Sequence, residues 1–113
     1  MILFKKPLFG DRGYHMDANL RCKVFPGQFS SELSVEGVQA DGERFSLFAP
    51  AKYVISDEPV TRDRSVEGWL KVSVWEDQGE MVLVRLPCES FESGLFVTIL
   101  AAQLLLEQRS VGG

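Results

Sequence analysis

Two short stretches, "LRCKVF" at 20–25 and "LKVSVW" at 70–75, restrict this chain more than anything else in it. The first alternates Leu20, Cys22 and Val24 with Arg21 and Lys23; the second alternates Leu70, Val72 and Val74 with Lys71 and Ser73. A period of two puts the apolar groups on one face of an extended chain and the polar groups on the other, which a helix with its 3.6-residue period cannot do. Both stretches therefore read as half-buried strands, and the chain as a sheet protein.

Turn chemistry supports the same class. "ELSVEGVQADGERFSLF" is a hairpin pattern, with Asp41-Gly42 expected as a two-residue turn and Gly37 expected as a bulge or bend. A second hairpin is expected around Asp77, Gln78 and Gly79, and a third turn in "CESFESG" at 88–94. Between the halves, residues 57–68 form a polar connector containing Pro59. The expected organisation is an arm at 1–19, a first β unit at 20–56, the connector, a second β unit at 69–108 and a tail at 109–113.

The two units read as copies of one another. "LRCKVF" meets "LKVSVW" at an offset of 50, and "RFSLFAPAKYV" meets "LFVTILAAQLL" at an offset of 51. Leu20, Val24, Phe45 and Ala51 then match Leu70, Val74, Phe96 and Ala102, while Phe25 and Trp75 match in kind. A spacing of about 50 residues suits a repeated structural unit.

The repeat bears on "GLFVTILAAQLLLEQ" at 94–108, the most apolar part of the chain. Its counterpart contains Pro50, which would cost a helix interior or a central strand a backbone donor. The expectation is a strand at 96–99, one helical turn at 100–103 and a short closing strand at 104–106. The alternative is a single barrel or sandwich ending in a helix at 99–108, for which the Ala, Leu, Gln and Glu content speaks.

This order of parts, strands joined by hairpins and ending in strand, tight helical turn and short strand, is similar to the SH3-like small β-barrels, including the Tudor and KOW groups. "LKVSVW", "MVLVRL", "LFVTIL" and "AAQLL" carry the resemblance in the second half, and "LRCKVF", "ELSVEGV", "RFSLFAP" and "AKYV" in the first. It implies an all-β fold of two tandem barrel units packed together. No proline-binding "ALYDY"-type stretch and no glycine-centred KOW signature is present, so no function of those groups carries over with the fold.

Chemistry-bearing residues are sparse. Cys22 and Cys88 lie far apart, without the spacing of a zinc or redox motif, and read as small core hydrophobes that need not pair. His15 is the only histidine, and no nucleophile elbow, phosphate loop or dinucleotide fingerprint occurs. A triad of Cys88, His15 and an aspartate has nothing to support it, and Glu89 beside the thiol would raise its pKa. The expectation is a protein without catalytic activity, cofactor or metal, and without an evident small-molecule substrate.

Aromatic placement is more informative. With Leu70, Val72 and Val74 inward, Trp69, Lys71, Ser73 and Trp75 fall on the opposite face, and Phe25 lies beside Arg21 and Lys23 in the equivalent place. Two tryptophans on such a face need a cover: the other half of the chain, the segment "MILFKKPLF", or a partner. "MVLVRL", with apolar residues on both sides, is expected to be covered on both faces. The candidate interface is Trp69, Trp75, Phe25 and Lys71, serving protein binding or self-association, since aromatics favour interface centres.

Charge sets a second possibility lower. Residues 1–23 carry five basic and two acidic groups, +3, whereas the remainder carries seven and fourteen, −7. An acidic body repels phosphate, so nucleic-acid binding would have to use Lys5, Lys6, Arg12, Arg21 and Lys23. The opening apolar run is too short for a signal peptide, and 95–106 is shorter than the ~18–20 residues that cross a bilayer. A soluble cytoplasmic protein without a membrane role is expected.

Overall fold

Alternation propagates along whole strands in the computed structural model, which describes residues 16–106. The first long strand, β1 (Met16–Pro26), buries Ala18, Leu20, Cys22 and Val24 and turns Asp17, Asn19, Arg21, Lys23 and Phe25 outward. Its counterpart β5 (Val66–Asp77) buries Val66, Gly68, Leu70, Val72 and Val74 in the same rhythm. The others are β2 (Glu32–Val38), β3 (Arg44–Pro50), β4 (Val54–Ser56), β6 (Met81–Ser90), β7 (Gly94–Leu100) and β8 (Leu104–Leu106). The only helical pieces among the described residues are the single 3-10 turns Ala51–Tyr53 and Ala101–Gln103.

The fold is all-β: one antiparallel sheet, strongly curled into a half-barrel. Strand order is β3-β2-β1-β5-β6-β7, with β4 added to β5 and β8 added to β1. The two expected units thus share a sheet through the β1–β5 ladder, in which Leu20 stands opposite Leu70. The last strand of each half crosses to the first strand of the other: Val54 faces Leu70, and Leu104 faces Leu20.

Residues 94–108 resolve as strand, 3-10 turn and strand as far as Leu106; the residues beyond lie outside the described range. Pro50 ends β3 in extended geometry and leads into the first 3-10 turn, with Leu100 doing the same for the second. The fixed φ of proline suits that place, and a following turn needs no donor from it. Strand β1 reaches back past the expected arm boundary, with Met16–Asn19 already inside it.

Several local expectations change. The β2–β3 connection is a three-residue loop, Ala40 to Gly42, closed by Gly42 N–H to the Gln39 carbonyl (2.9 Å) and Gln39 N–H to the Glu43 carbonyl (2.8 Å). Gly42 takes φ +93°, the left-handed residue that such a loop requires after its turn. The β5–β6 connection is the two-residue one, Gly79-Glu80, with Gly79 at φ +92°. Gly37 makes no bulge, because the β2–β3 register runs unbroken past it; the register shifts lie at Trp75 and between Arg85 and Ser90.

The connector is a hairpin arm. Asp57 donates to the Glu67 carbonyl (2.9 Å), Thr61 bridges Arg64, and Arg62-Asp63 form the tip. Val60 packs against the core.

The core lies inside the curl, built from both halves: Leu20, Val24, Val35, Phe45 and Leu47 beside Leu70, Val84, Leu86 and Ile99. The free sheet edges are met by turns of the opposite half. Phe91 N–H reaches the Ser46 carbonyl on β3 (2.9 Å), and Ala40 N–H reaches the Thr98 carbonyl on β7 (2.8 Å). Such contacts blunt the unpaired edge that would otherwise invite another strand.

Candidate functional site

The outward faces of β1 and β5 carry the residues singled out from the sequence, and the ladder decides which of them meet. Arg21 stands opposite Trp69. Its guanidinium lies 4.7 Å from the Trp69 ring centroid while pairing with Asp57 at 2.8 Å and Glu67 at 3.5 Å. The Asp57 hydrogen bond, opposed by partial desolvation, holds the Arg21 pKa above its ordinary value. Trp69 is thus half-buried beneath a cation, with Ile55 of β4 opposite it on the other side. Lys71 follows two residues along, opposite Asn19.

Trp75 and Phe25 are not part of that group. Val24 pairs with Val66 and Met16 with Val74, so Phe25 and Trp75 sit at opposite ends of the ladder, some 30 Å apart at about 3.3 Å per residue. Trp75 meets Phe96 edge-on, ring centroids 5.1 Å apart, and Phe25 is level with Ser34. One half-buried aromatic surface spanning all four residues therefore does not form.

Around Trp75 a different surface appears. β6 turns Met81, Leu83 and Arg85 outward, and each faces a β7 residue: Leu100, Thr98 and Phe96 respectively. Met81, Leu100 and Phe96 are 44%, 43% and 40% exposed, so β6 is not covered on both faces as expected. The inward side, Val82, Val84 and Leu86, is buried. Half-buried Trp75 and Leu83 and exposed Phe96, Met81 and Leu100 thus share the outward side of β5–β6–β7, with Thr98 between Phe96 and Leu100 and Arg85 facing Phe96.

The first half has nothing similar at the same ladder steps. Where the second half pairs Met81–Leu100, Leu83–Thr98 and Arg85–Phe96, the first pairs Glu32–Pro50, Ser34–Phe48 and Glu36–Ser46. The apolar side chains at these steps are thus not required by the curl of the sheet. Phe96 escaped the sequence reading because the offset of 51 matched it with buried Phe45. The element bounds correspond at 50 instead, β3 ending at Pro50 and β7 at Leu100, which sets Leu47 level with Val97 and Ala49 with Ile99, all four buried. Counting alternation outward from Val97 and Ile99 is the signal that would have found it.

A smaller aromatic group sits on the first half. Phe48 and Phe91 meet edge-on at 5.7 Å, and Phe29 and Phe91 are both 69% exposed. A shallow cavity of about 280 Å³ lies between Phe29, Phe48, Pro50 and Glu32. Other cavities among the described residues include one of about 330 Å³ among Met16, Val74, Val82, Ala101, Leu104 and Leu106, and one of about 290 Å³ beside Arg21, Cys22, Glu36, Arg44 and Gln103.

Burial pushes the Cys22 thiol up to about 12 and raises Cys88 as well, so neither is poised as a thiolate. Both cysteines are free, Cys22 buried and Cys88 half-buried. Among the described residues no group of three or more His, Cys, Asp or Glu could hold a metal, and no helix is long and apolar enough to cross a membrane. Lys5, Lys6, Arg12 and His15 lie outside the described residues. Arg21 is committed to two carboxylates, and Lys23 has Glu67 and Glu36 as cross-strand neighbours. No protein-family profile, curated protein or solved structure matches the chain.

Proposed function

We propose that this is a binding or assembly module without catalytic activity, which recruits a protein partner or a further copy of itself through the outward face of β5–β6–β7. The observation that carries this reading is the asymmetry between the halves. Trp75, Leu83, Met81, Phe96 and Leu100 crowd an outward surface where the first half has Phe25, Ser34, Glu32, Ser46 and Pro50. Exposed apolar groups gathered near a half-buried tryptophan, with a charge beside them, have the make-up of an interaction site. The reading takes the halves as copies of one SH3-like unit, supported by the recurring strand, 3-10 turn and strand. It places the protein in the cytoplasm on sequence grounds.

The test is a Met81→Ser, Phe96→Ser double variant, which keeps the fold because polar residues serve at the matching steps of the first half. A photo-reactive residue at position 100 is expected to crosslink a discrete protein in the cell of origin, or a second copy, and to lose that product in the double variant. A product unchanged by the two substitutions, or no product together with a concentration-independent monomer mass, overturns the reading.

A further inference from the structure

We infer that the two halves form a two-fold pair of units that complete one another by exchanging their last strands, so that the partner fitted by the β1 surface of one unit is a second copy of that unit. The inference rests on equivalence of the halves, not on the outward apolar face.

The register carries it. At an offset of 50, Leu20 corresponds to Leu70, and these two face each other. The pair Met16–Val74 recurs as Val66–Val24, and Asn19–Lys71 recurs as Trp69–Arg21. Any antiparallel ladder maps onto itself in this way; here the two strands also bury the same steps, Ala18, Leu20, Cys22 and Val24 on one and Gly68, Leu70, Val72 and Val74 on the other, as two copies of one strand about a two-fold axis would. The exchanged strands obey the same operation. Val54 meets Leu70 and Ser56 meets Gly68, while Leu104 meets Leu20 and Leu106 meets Ala18.

Neither half closes by itself. Without β5, the inward faces of Ala18, Leu20, Cys22 and Val24 lose the second wall of the core, and β4 loses its only ladder. Each half also reaches the sheet edge of the other, Phe91 to Ser46 in one direction and Ala40 to Thr98 in the other, although these two contacts are not equivalent residue by residue. A surface that buries a row of apolar residues and completes two ladders is an obligate one.

What keeps the pair inside one chain is the hairpin arm. β4 and β5 run side by side, with Asp57 bonded to Glu67 and the chain reversing at Arg62-Asp63. The tightest common hairpin loop has about two residues. Deleting residues 58–65 joins Asp57 to Val66 and leaves only Val66 between Asp57 and Glu67, which are bonded in the parent; with Val66 and Glu67 held on β1 opposite Val24 and Lys23, no residue is free to make the turn, and β4 can no longer fold back on its own β5. The second unit must then come from another chain, and two chains exchange reciprocally.

The test compares the full chain with this deletion. Sedimentation is expected to give twice the chain mass for the deletion variant, with the strand-rich circular dichroism of the parent; a folded monomer overturns the inference. Because the variant can fail to fold, a second measurement uses the full-length chain with a protease site placed between Arg62 and Asp63. After cutting, the two pieces are expected to run as one particle of the uncut mass and to melt in one transition whose midpoint rises with concentration. Pieces that separate in native buffer, or melt independently, overturn it.

Discussion

Gly37 on β2 stands directly opposite Phe45 on β3, and the Phe45 ring occupies the space that a β-carbon on residue 37 would need. At the matching positions of the second half the volumes are shared differently, with Leu86 buried and Leu95 half-buried. Gly37→Ala is expected to destabilise the protein by roughly 1–3 kcal/mol through overpacking. Phe45→Leu added to it should recover part of that loss, and non-additive denaturant midpoints across the double-mutant cycle are the measurement.

The edge-on contact of Trp75 with Phe96, 5.1 Å between centroids, ties the candidate surface to the bulge at Trp75. Phe96→Ala is expected to cost about 0.5–1.5 kcal/mol from the ring pair beyond the area lost. In a Trp69→Phe background, the emission of Trp75 should move to longer wavelength. An emission maximum that stays put would mean that Phe96 does not shield the indole.

Desolvation raises the Cys22 thiol from 9.0 to about 12. The unfolded chain releases this proton near pH 9, and the folded one holds it. The stabilising contribution is therefore complete below about pH 9 and is lost as pH rises toward 12. Cys22→Ala should flatten the fall in stability over that window relative to the parent. A thiol reagent at pH 8 should label Cys88 first and leave Cys22 for the denatured state.

Glu92 clasps the edge of β3, accepting from Ser46 N–H at 2.7 Å and from Ser46 Oγ–H at 2.8 Å. Desolvation pushes its carboxyl pKa up, but the two Ser46 bonds outweigh it and leave the value below the ordinary 4.5. A lowered acid pKa stabilises above the unfolded value and ceases to do so as pH falls through the folded one. Glu92→Gln should thus lower the urea midpoint at pH 7, and the difference should shrink as pH drops below 4.5. A difference that is the same at pH 7 and pH 3 would remove the carboxylate charge from the explanation.

Much of the fold is legible in local pattern. Alternation in 20–25 and 70–75 determined β1, β5 and the identity of their buried faces, because side-chain direction in an extended chain follows from covalent geometry alone. Gly42 and Gly79 marked turns through their access to positive φ, and Pro50 excluded a long helix at its own position and, by the correspondence at 51, at 101. The pairing of strands was not local information. That β4 lies on β5 and β8 on β1 depends on contacts 16 and 84 residues apart, between Val54 and Leu70 and between Leu20 and Leu104, and apolar alternation is compatible with any neighbour that offers a matching face. Register was decided by tertiary structure for the same reason. A one-residue slip exchanges the two faces of a strand, so the step from an offset of 51 to one of 50 is what sets Phe96 on an outward surface beside Trp75 instead of level with buried Phe45.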